Sequence, residues 1–387
     1  MKTFNSIKVI NYYLFLLFIY LLMLINVSAK ELPSPVNEVS ITTQKLLIED
    51  WAVDLDAPWG VSFIAEGLAL ITEKKGNLLL VTPNSKRKVI GIPTVANKGQ
   101  GGLLDVALDP NYSENGWVYL SFSDADKNFP EKTMTKIVRG KLSYSSDAVV
   151  WKNEEVLFQA KPEDYMNTGF HFGSRISFDN NDHLYFGIGD RGVMDMSQSL
   201  NVPNGKIHRV KTDGTIPKNN PFNDGRSKYP SIYTYGNRNP QGIVVHPVSN
   251  IVWETEHGPK GGDELNVIKP GLNYGWPKVS YGINYDGSVL TEFVDLPDME
   301  QPKSYWTPSI AVSSLEVYKG EMFSEWKDHL LVGALADQSA RVIKVKNGSY
   351  ISEEILIKDL GRVRDVTPGP DGAIYALLPS KMIRISR

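Results

Sequence analysis

The chain of 387 residues contains no cysteine. The absence of thiols excludes disulfide bonds, a thiolate nucleophile and thiolate metal ligands at once. It also excludes a lipoprotein, since there is no cysteine to acylate. Packing and backbone hydrogen bonds must therefore stabilise the fold, with or without a bound metal ion.

The sequence also lacks an excess of charge of either sign. The formal net charge is −3, and charged residues make up 22% of the chain. Without a basic excess or a stripe of lysine and arginine, nucleic acid is not expected as a partner. The hydrophobic content of 42% is ordinary for a soluble globular protein. Length alone allows two or three domains, although a repeat fold of this size can be one unit.

Long apolar runs are absent except at the N-terminus. The run of residues 12–25 follows two lysines and precedes small residues that end at Ala29. This pattern predicts a secretory signal peptide at residues 1–29, cleaved to leave a mature domain of residues 30–387. An uncleaved N-terminal anchor is the alternative, although the run is short for a membrane span. We therefore expect a periplasmic or secreted protein without a membrane segment after cleavage.

The mature chain has no amphipathic helical pattern of useful length. Short runs rich in aromatic and β-branched residues recur instead, for example at residues 116–122, 183–188 and 373–377. Turn residues flank each run on both sides, which favours strands. The sequence therefore predicts an all-β protein.

A repeat becomes visible when the turns are aligned. Each unit is a turn rich in Pro, Asn, Asp or Gly, followed by a strand. The clear units are residues 109–122, 178–190, 246–258 and 369–378, and the looser ones are 62–76 and 325–335. The equivalent positions are Leu70, Tyr119, Tyr185, Trp253, Leu331 and Tyr375, about 61 residues apart on average. Six such units predict a six-bladed β-propeller of four-stranded antiparallel blades with loop insertions on one face. The alternative is a large β-sandwich with coincidental turns.

Two segments place a strongly functional side chain among glycines. His171 lies in residues 167–175, and Arg238 lies in residues 235–242. Histidine can accept a proton near neutral pH, and a guanidinium can hold an oxyanion or a carboxylate. A lone histidine is more often structural, and the second segment could be a solvated turn. Three amides and one guanidinium nevertheless exceed what a turn needs, which favours a cradle for an oxygen-rich planar ligand.

Residues 254–266 could bind a hard cation. Gly258 and Pro259 lie in a bend that can expose carbonyl oxygens, and Asp263 and Glu264 add negative charge. Calcium prefers such oxygen ligands, so the segment predicts a Ca²⁺ site. The alternative is a solvated turn. Zinc is discounted because no second histidine has ligand spacing.

Two further segments can bind an anionic or polar ligand. Gln100 lies among glycines in residues 98–105, where no phosphate-binding loop motif is present. The two-residue spacing of Arg362 and Arg364 predicts that they lie on one face of a strand, because side chains alternate along it. Two like charges on one face favour an anion between them, unless Asp365 and water screen them.

The motifs together resemble one family. The matching blocks, in order, are GQGGLLDVALDP, HFGSRISFDNNDHLYFGIGDRG, GKIHRVKTDGTIPKNNPF, YGNRNPQGIVVHP, WETEHGPKGGDELNVIKPGLNYGWP, GINYDG and GRVRDVTPGPDGAIYAL. This series is similar to the glucose/sorbosone dehydrogenases, specifically the soluble aldose sugar dehydrogenases that use pyrroloquinoline quinone (PQQ). The resemblance covers the chain from about residue 98 onward and implies a six-bladed propeller with the cofactor on the face that carries the insertions.

The resemblance also implies roles for individual residues. His171 matches the catalytic base that removes the proton from the sugar C1 hydroxyl, and Arg238 matches the residue that stabilises charge on the quinone. The matches to cofactor-binding residues are Gln100, Arg238, Asn239, Tyr285, Arg362 and Arg364. Gly258 and Pro259 match carbonyl ligands of the Ca²⁺ that touches PQQ, and Glu264 and Tyr274 match ligands of a second, structural Ca²⁺.

Two departures make the implied pocket less charged. Ala336 stands where the glucose-oxidising branch has a lysine that contacts PQQ, and Phe170 stands where it has an acidic residue. Cofactor affinity and sugar preference therefore do not carry over from that branch.

The sequence thus predicts a periplasmic quinoprotein that oxidises aldoses at C1 to lactones, with hydride transfer to PQQ. No haem-attachment motif is present, so we expect electrons to pass to an external acceptor. The sequence gives no sign of an oligomer interface, so we expect a monomer. Two alternatives remain: a cofactor-free propeller that binds glycans or proteins, and a Ca²⁺-dependent lactonase on a propeller. The joint presence of a base and several arginines favours the dehydrogenase over both.

Overall fold

Almost all regular structure in the protein is β-sheet. The computed structural model describes residues 32–36 and 39–387, and residues 33–387 form one compact unit. The predicted signal peptide, residues 1–29, lies outside the described residues. Within the described part, no helix has the length and apolar character needed to cross a membrane.

Twenty-five strands in the described residues form five sheets. The first two strands are β1 (Ser40–Ile41) and β2 (Leu47–Ala52). An eight-stranded sheet contains β3 (Pro58–Ala65), β4 (Leu68–Glu73), β5 (Asn77–Thr82), β6 (Ser85–Ile90), β7 (Leu103–Leu108), β8 (Trp117–Ala125), β9 (Thr133–Tyr144) and β10 (Val149–Phe158). Two four-stranded sheets follow, one of β11 (Ile176–Phe178), β12 (His183–Ile188), β13 (Lys206–Lys211) and β14 (Ile232–Tyr235), the other of β15 (Pro240–Val245), β16 (Val252–Glu256), β17 (Asp263–Ile268) and β18 (Ser304–Trp306).

The last two sheets each take in one of the N-terminal strands. A five-stranded sheet joins β1 to β19 (Val312–Val317), β20 (Leu330–Ala334), β21 (Ser339–Lys346) and β22 (Ser349–Lys358). A four-stranded sheet joins β2 to β23 (Asp365–Pro368), β24 (Ile374–Leu377) and β25 (Met382–Ser386). Helix is confined to α1 (Tyr112–Asn115) and three 3₁₀ turns at Pro162–Asp164, Met194–Gln198 and Ser324–Trp326 in the described residues. The predicted all-β class is therefore confirmed.

Strands that are consecutive in the chain pair antiparallel within each sheet. The eight-stranded sheet has one weak junction, where β6 and β10 pair in parallel at only two residue pairs. In the last sheet, β2 pairs with β25 from Leu47 opposite Ser386 to Ala52 opposite Met382. The sheet that contains the C-terminal strand is thus completed by a strand from near the N-terminus.

The predicted repeat is visible in the strand order. The equivalent positions Leu70, Tyr119, Tyr185, Trp253, Leu331 and Tyr375 lie in β4, β8, β12, β16, β20 and β24, one in every fourth strand. The strand before each of these contacts its counterpart in the next unit, in the order β3, β7, β11, β15, β19 and β23, and β23 contacts β3. These six strands therefore form a closed circle, which gives the molecule a propeller-like arrangement.

The apolar cores lie between neighbouring sheets. Tyr119 of β8 and Phe186 of β12 belong to one buried cluster, and Leu331 of β20 and Ile374 of β24 belong to another. Strands covered on both faces are apolar along most of their length, as in β4, where residues 69–73 are all buried. The segments that precede the six strands of the circle lie outside these apolar cores. Polar residues can therefore occupy them.

Candidate active site

The segments of His171 and Arg238 meet in space. Each precedes a strand of the circle, β11 and β15 respectively, and Gly189 lies between them at the end of β12. A Cβ atom on Gly189 would lie 2.5 Å from the His171 carbonyl oxygen and 2.9 Å from Asn239 Oδ1. The backbone N–H of Asp190 donates to the Arg238 carbonyl oxygen at 2.7 Å. Glycine at position 189 is therefore what lets the two segments approach each other.

Asp190 orients the imidazole of His171. His171 Nδ1 lies 2.6 Å from Asp190 Oδ1, and the backbone N–H of Gly192 donates to the same oxygen at 2.7 Å. The indole N–H of Trp276 donates to Asp190 Oδ2 at 2.8 Å. A carboxylate at Nδ1 selects the tautomer that carries its proton there, so Nε2 is left to accept a proton.

The charge of Asp190 is stabilised in place. Burial acts to raise the pKa of this carboxyl, but its hydrogen bond to His171, the charge of His171 and the Gly192 N–H lower it below its usual value on balance. Sequence reasoning missed Asp190 and Trp276. The only signal was an aspartate at the end of a predicted strand, in the segment GIGD.

Arg238 is held through its Nη1 and its backbone N–H, and its Nε is a buried donor without a partner. Its Nη1 donates to the carbonyl oxygens of His257 at 3.0 Å and Gly258 at 2.7 Å. Its backbone N–H donates to Glu256 Oε2, which also accepts from the backbone N–H of Asn239 at 3.2 Å. Arg238 Nε is buried and has no hydrogen-bond partner. A buried, unpaired donor is costly, so this atom is suited to an acceptor supplied by a ligand.

His257 and Asn239 form the opposite wall. His257 Nε2–H donates to the Val312 carbonyl oxygen at 2.5 Å, and Asn239 Nδ2 lies 3.4 Å from His257 Nδ1. Burial, followed by the charge of Arg238, lowers the pKa of His257 to about 3. A histidine with so low a pKa is a weak proton acceptor, so His257 does not compete with His171 as the base.

Gln100 joins the site through the backbone of the base. Its Oε1 accepts from the N–H of His171 at 2.8 Å, and its own N–H donates to the Gly169 carbonyl oxygen at 2.7 Å. His171 has a positive φ of 50°, a conformation that is uncommon for a residue other than glycine. The Gln100 side chain therefore helps to hold the base in a conformation that an isolated loop would rarely adopt.

A group of cations lies near His257, on which the charges of Arg364 and His171 both act. Burial, together with the charges of Arg175 and Arg362, lowers the pKa of Arg364 to about 9. Burial and the charge of Arg364 lower the pKa of Lys74, whose Nζ donates to Asn97 Oδ1 at 2.8 Å. Cations that lower one another's pKa are short of counter-charge, so this part of the site is suited to an anion. Sequence reasoning identified the two predicted arginines but missed Lys74.

Arg175 supports the floor of the site. Its Nη1 donates to Asp105 Oδ1 at 2.8 Å and Asp365 Oδ2 at 3.0 Å. Its Nη2 donates to the carbonyl oxygens of Trp59 at 3.2 Å and Arg364 at 3.0 Å. One buried guanidinium thereby connects β3, β7 and β23 directly beneath the predicted anion-binding arginines.

The residues predicted for calcium fall in two places. The Gly258 carbonyl oxygen already accepts from Arg238, and the Gly258 N–H donates to Asp263 Oδ1 at 3.0 Å. Glu264 lies with Glu254 around Asn266, whose Nδ2 donates to both carboxylates at 3.2 and 3.1 Å. Within residues 32–36 and 39–387, no cluster of three or more His, Asp or Glu is arranged to hold a metal ion.

The two predicted tyrosines differ in their surroundings. The Tyr274 hydroxyl donates to the Val267 carbonyl oxygen at 2.7 Å and accepts from the N–H of Lys269 at 2.9 Å, so only its backbone carbonyl could bind a metal. Tyr285 is 70% exposed. The bridge between Ile283 and Lys260 brings the loop of Tyr285 next to the segment of Gly258.

Comparison with known proteins gives a consistent result. The family model described as Glucose / Sorbosone dehydrogenase matches residues 55–387. The chain is 36% identical over 330 residues to aldose sugar dehydrogenase YliI of Escherichia coli, covering 84% of this chain and 87% of that protein. It is 26% identical over 409 residues to quinoprotein glucose dehydrogenase B of Acinetobacter calcoaceticus, with 84% and 83% covered.

Solved structures agree with these matches. The apo-form crystal structure of the soluble aldose sugar dehydrogenase from E. coli superposes with a TM-score of 0.81 and 34% identity. The superposition covers 88% of this chain and 99% of that one.

Proposed function

The chain belongs to the glucose/sorbosone dehydrogenase family, and from this premise we propose that it oxidises aldose sugars at C1 to lactones. It is a PQQ-dependent aldose sugar dehydrogenase, a quinoprotein that acts on CH–OH donors. The observation that carries the proposal is the His171–Asp190 pair at 2.6 Å beside the unpaired Arg238 Nε and the cationic group of Arg364. A fixed base and donors for an anionic planar ligand are what this oxidation requires.

The residues present fit PQQ. This cofactor is a planar quinone with three carboxylates, and when bound it supplies the group that accepts the hydride from C1. Arg362, Arg364 and Lys74 would hold its carboxylates, since they form the part of the site that lacks counter-charge. Arg238 Nε and Asn239 would hold its oxygens. Gln100 and Tyr285 would complete the contacts, as the family resemblance implies.

His171 performs the proton transfer. Nε2 accepts the proton of the C1 hydroxyl while C1 loses its hydride, and the imidazole becomes positively charged. Asp190 then stabilises the imidazolium through the hydrogen bond from Nδ1–H, and Trp276 keeps that carboxylate in place. Arg238 provides a fixed positive charge close to the negative charge that develops on the acceptor.

Replacement of Asp190 by asparagine is expected to lower kcat by roughly 10²- to 10⁴-fold, because an amide can hold the wrong tautomer of His171. Steady-state dye reduction by the PQQ-loaded variant measures this loss. KM and the PQQ dissociation constant should change by less than about threefold, since both carboxylate oxygens of Asp190 already bond to His171, Gly192 and Trp276. Unchanged kcat in Asp190→Asn would contradict the role of this pair.

Lys74 provides a test of the cofactor site that does not use activity. Lys74→Ala is expected to weaken PQQ binding by roughly 5- to 20-fold, the size of a charge-assisted contact with a carboxylate. Titration of the apo-protein with PQQ, followed by quenching of tryptophan fluorescence, measures the affinity. The matched control is Lys75→Ala, because Lys75 is exposed and pairs with Asp56 at 2.8 Å. Equal affinities of the two variants would exclude Lys74 from the site.

The fold is best described as a six-bladed propeller. Division of the eight-stranded sheet at the short β6–β10 junction leaves six units, counting β2 with β23 to β25; five have four strands, and the unit of β19 to β22 has β1 as a fifth. The closed circle of β3, β7, β11, β15, β19 and β23 supports the same number. The insertion of residues 269–303 contributes Trp276 to the site, which supports a cofactor face built from inserted loops.

We also propose two Ca²⁺ sites, formed by the residues that match calcium ligands of the family. Gly258 and Pro259 would offer carbonyl oxygens to a Ca²⁺ beside PQQ, and Glu264 with the Tyr274 carbonyl would offer a second site. The Gly258 carbonyl oxygen already accepts from Arg238, so a Ca²⁺ there would share this oxygen with a cation. We therefore assign no catalytic step to calcium.

The location and partners remain those that the sequence predicts. We expect a periplasmic or secreted monomer that binds a small aldose and delivers electrons to an external acceptor. The cofactor-free binding propeller and the calcium-dependent lactonase are the competing functions. Reconstitution of the purified protein with PQQ and Ca²⁺ decides among them, because only the dehydrogenase reduces an artificial dye when an aldose is added. Absence of PQQ binding in the titration would leave the binding propeller as the better description.

A further inference from the structure

The side chain of Phe170 is exposed next to the base. Its ring is 57% exposed, although the residue precedes His171 in the chain. The centroids of the Phe170 and His171 rings are 6.4 Å apart. The ring rests against the backbone of Gly192, where an added Cβ would lie 3.6 Å from Phe170 Cδ2. Aromatic side chains next to a few polar groups commonly line ligand sites, so an exposed ring beside the proposed base is a candidate contact for a ligand.

The backbone under this ring is held by a buried cation. The guanidinium of Arg191 is fully buried and donates to the carbonyl oxygens of Phe170 and Thr168, the latter at 2.8 Å. It also donates to Thr133 Oγ1 at 3.0 Å, and its Cζ lies 3.4 Å from the centroid of the Phe172 ring. Burial lowers the pKa of Arg191 to about 9, although the charge of Asp190 opposes this shift. The segment is therefore rigid while the Phe170 ring remains in solvent.

We propose that Phe170 is an aromatic subsite for the C–H face of the sugar ring whose C1 hydroxyl faces His171. This inference rests on the proposed function. Axial C–H groups of a pyranose carry partial positive charge and match the negative face of an aromatic ring, while its hydroxyls remain in water. A ring held on a fixed backbone loses little freedom on binding, so the contact adds to affinity. Aldopyranoses with an uninterrupted C–H face are the ligand class that it favours.

Kinetics of the PQQ-loaded enzyme with glucose give the first test. Phe170→Ala is expected to raise KM roughly two- to tenfold, the size of one aromatic contact, and to leave kcat within about twofold. Phe170→Trp is expected to restore KM to the wild-type range. The matched control is Phe129→Ala, because Phe129 is 54% exposed and lies in a different loop. Equal KM values for Phe170→Ala and Phe129→Ala overturn the proposal, as does a fall in kcat without a change in KM.

A binding measurement separates this subsite from the proposed function. Saturation-transfer NMR on the wild-type protein with glucose should show transfer from aromatic protons to the sugar ring, and Phe170→Ala should lose most of it. Transfer that depends on Phe170 without any dye reduction supports the subsite and contradicts the dehydrogenase. Dye reduction with transfer that does not depend on Phe170 overturns the subsite alone. A wild-type protein that shows neither transfer nor turnover overturns both.

Discussion

Alanine in place of His171 is expected to lower kcat by a factor of roughly 10² to 10⁴, the usual contribution of a positioned general base. His171 Nε2 is the base in this proposal, because burial and the charge of Arg238 lower the pKa of His257, the neighbouring histidine, to about 3. PQQ affinity is expected to remain within about twofold of the wild-type value. The contact between Gln100 and residue 171 uses the backbone N–H, which alanine retains. Stopped-flow reduction of bound PQQ by glucose measures the chemical step directly.

The chain contains a matched control for this experiment. His183 also pairs with an aspartate, with Nδ1 at 2.8 Å from Asp179 Oδ2, but it lies at the start of β12, far along the strand from Asp190. His183→Ala removes the same groups and should leave kcat within about twofold. Similar losses in the two alanine variants would show that the effect at His171 is structural. Full turnover by His171→Ala would contradict its assignment as the base.

Methionine in place of Arg175 is expected to lower the free energy of unfolding by about 3–5 kcal/mol at pH 7.5, the usual cost of removing one partner of a buried ion pair. The substitution leaves Asp105 and Asp365 buried beside each other without a counter-charge. It also removes the donors to the carbonyl oxygens of Trp59 and Arg364. Urea denaturation followed by tryptophan fluorescence measures the difference from wild type.

The loss of stability caused by Arg175→Met should be smaller at acid pH. Burial raises the pKa of Asp105 to about 6 in the folded protein, above its ordinary value of 3.8, despite the opposing charge of Arg175. Between these two values the folded state binds more protons than the unfolded state, so the contribution of Asp105 becomes more favourable as the pH falls. Loss of the guanidinium raises the Asp105 pKa further, so Arg175→Met should recover part of its stability at pH 5. A deficit that is equal at pH 7.5 and pH 5 would contradict this account.

An exposed ion pair serves as the control for this experiment. Arg226 Nε pairs with Asp224 Oδ2 at 2.6 Å, and both side chains are largely in solvent. Arg226→Met is expected to change the free energy of unfolding by less than about 1 kcal/mol, because solvent screens such a pair. The contrast between the two substitutions isolates the effect of burial.

Sequence reasoning could find what is local or periodic. The turn-and-strand pattern around Tyr119, Tyr185 and Trp253 repeats because each unit uses the same turn chemistry, and the structure confirms one such position in every fourth strand. The segments of His171 and Arg238 were identified because each combines glycines with a functional side chain. Glycine permits the close approach that Gly189 provides between them.

Sequence patterns did not predict the distant side chains that form hydrogen bonds with the functional residues. Asp190 and Trp276 are 86 residues apart, and only the insertion after β17 brings the indole to the carboxylate. Arg175 and Asp365 are 190 residues apart and meet because their strands belong to the same circle. Sequence matching also did not indicate which atom of Tyr274 could bind a metal: its hydroxyl bonds to backbone groups, which leaves its carbonyl oxygen. Local spacing carries no information about which distant side chain will supply a hydrogen bond.

The pairing of β2 with β25 also governs when folding can finish. Leu47 lies opposite Ser386, so the outer edge of the last sheet cannot form until almost the whole chain has been synthesised. The nascent chain therefore lacks the pairing of β2 with β25, and contacts between residues so far apart in sequence form slowly.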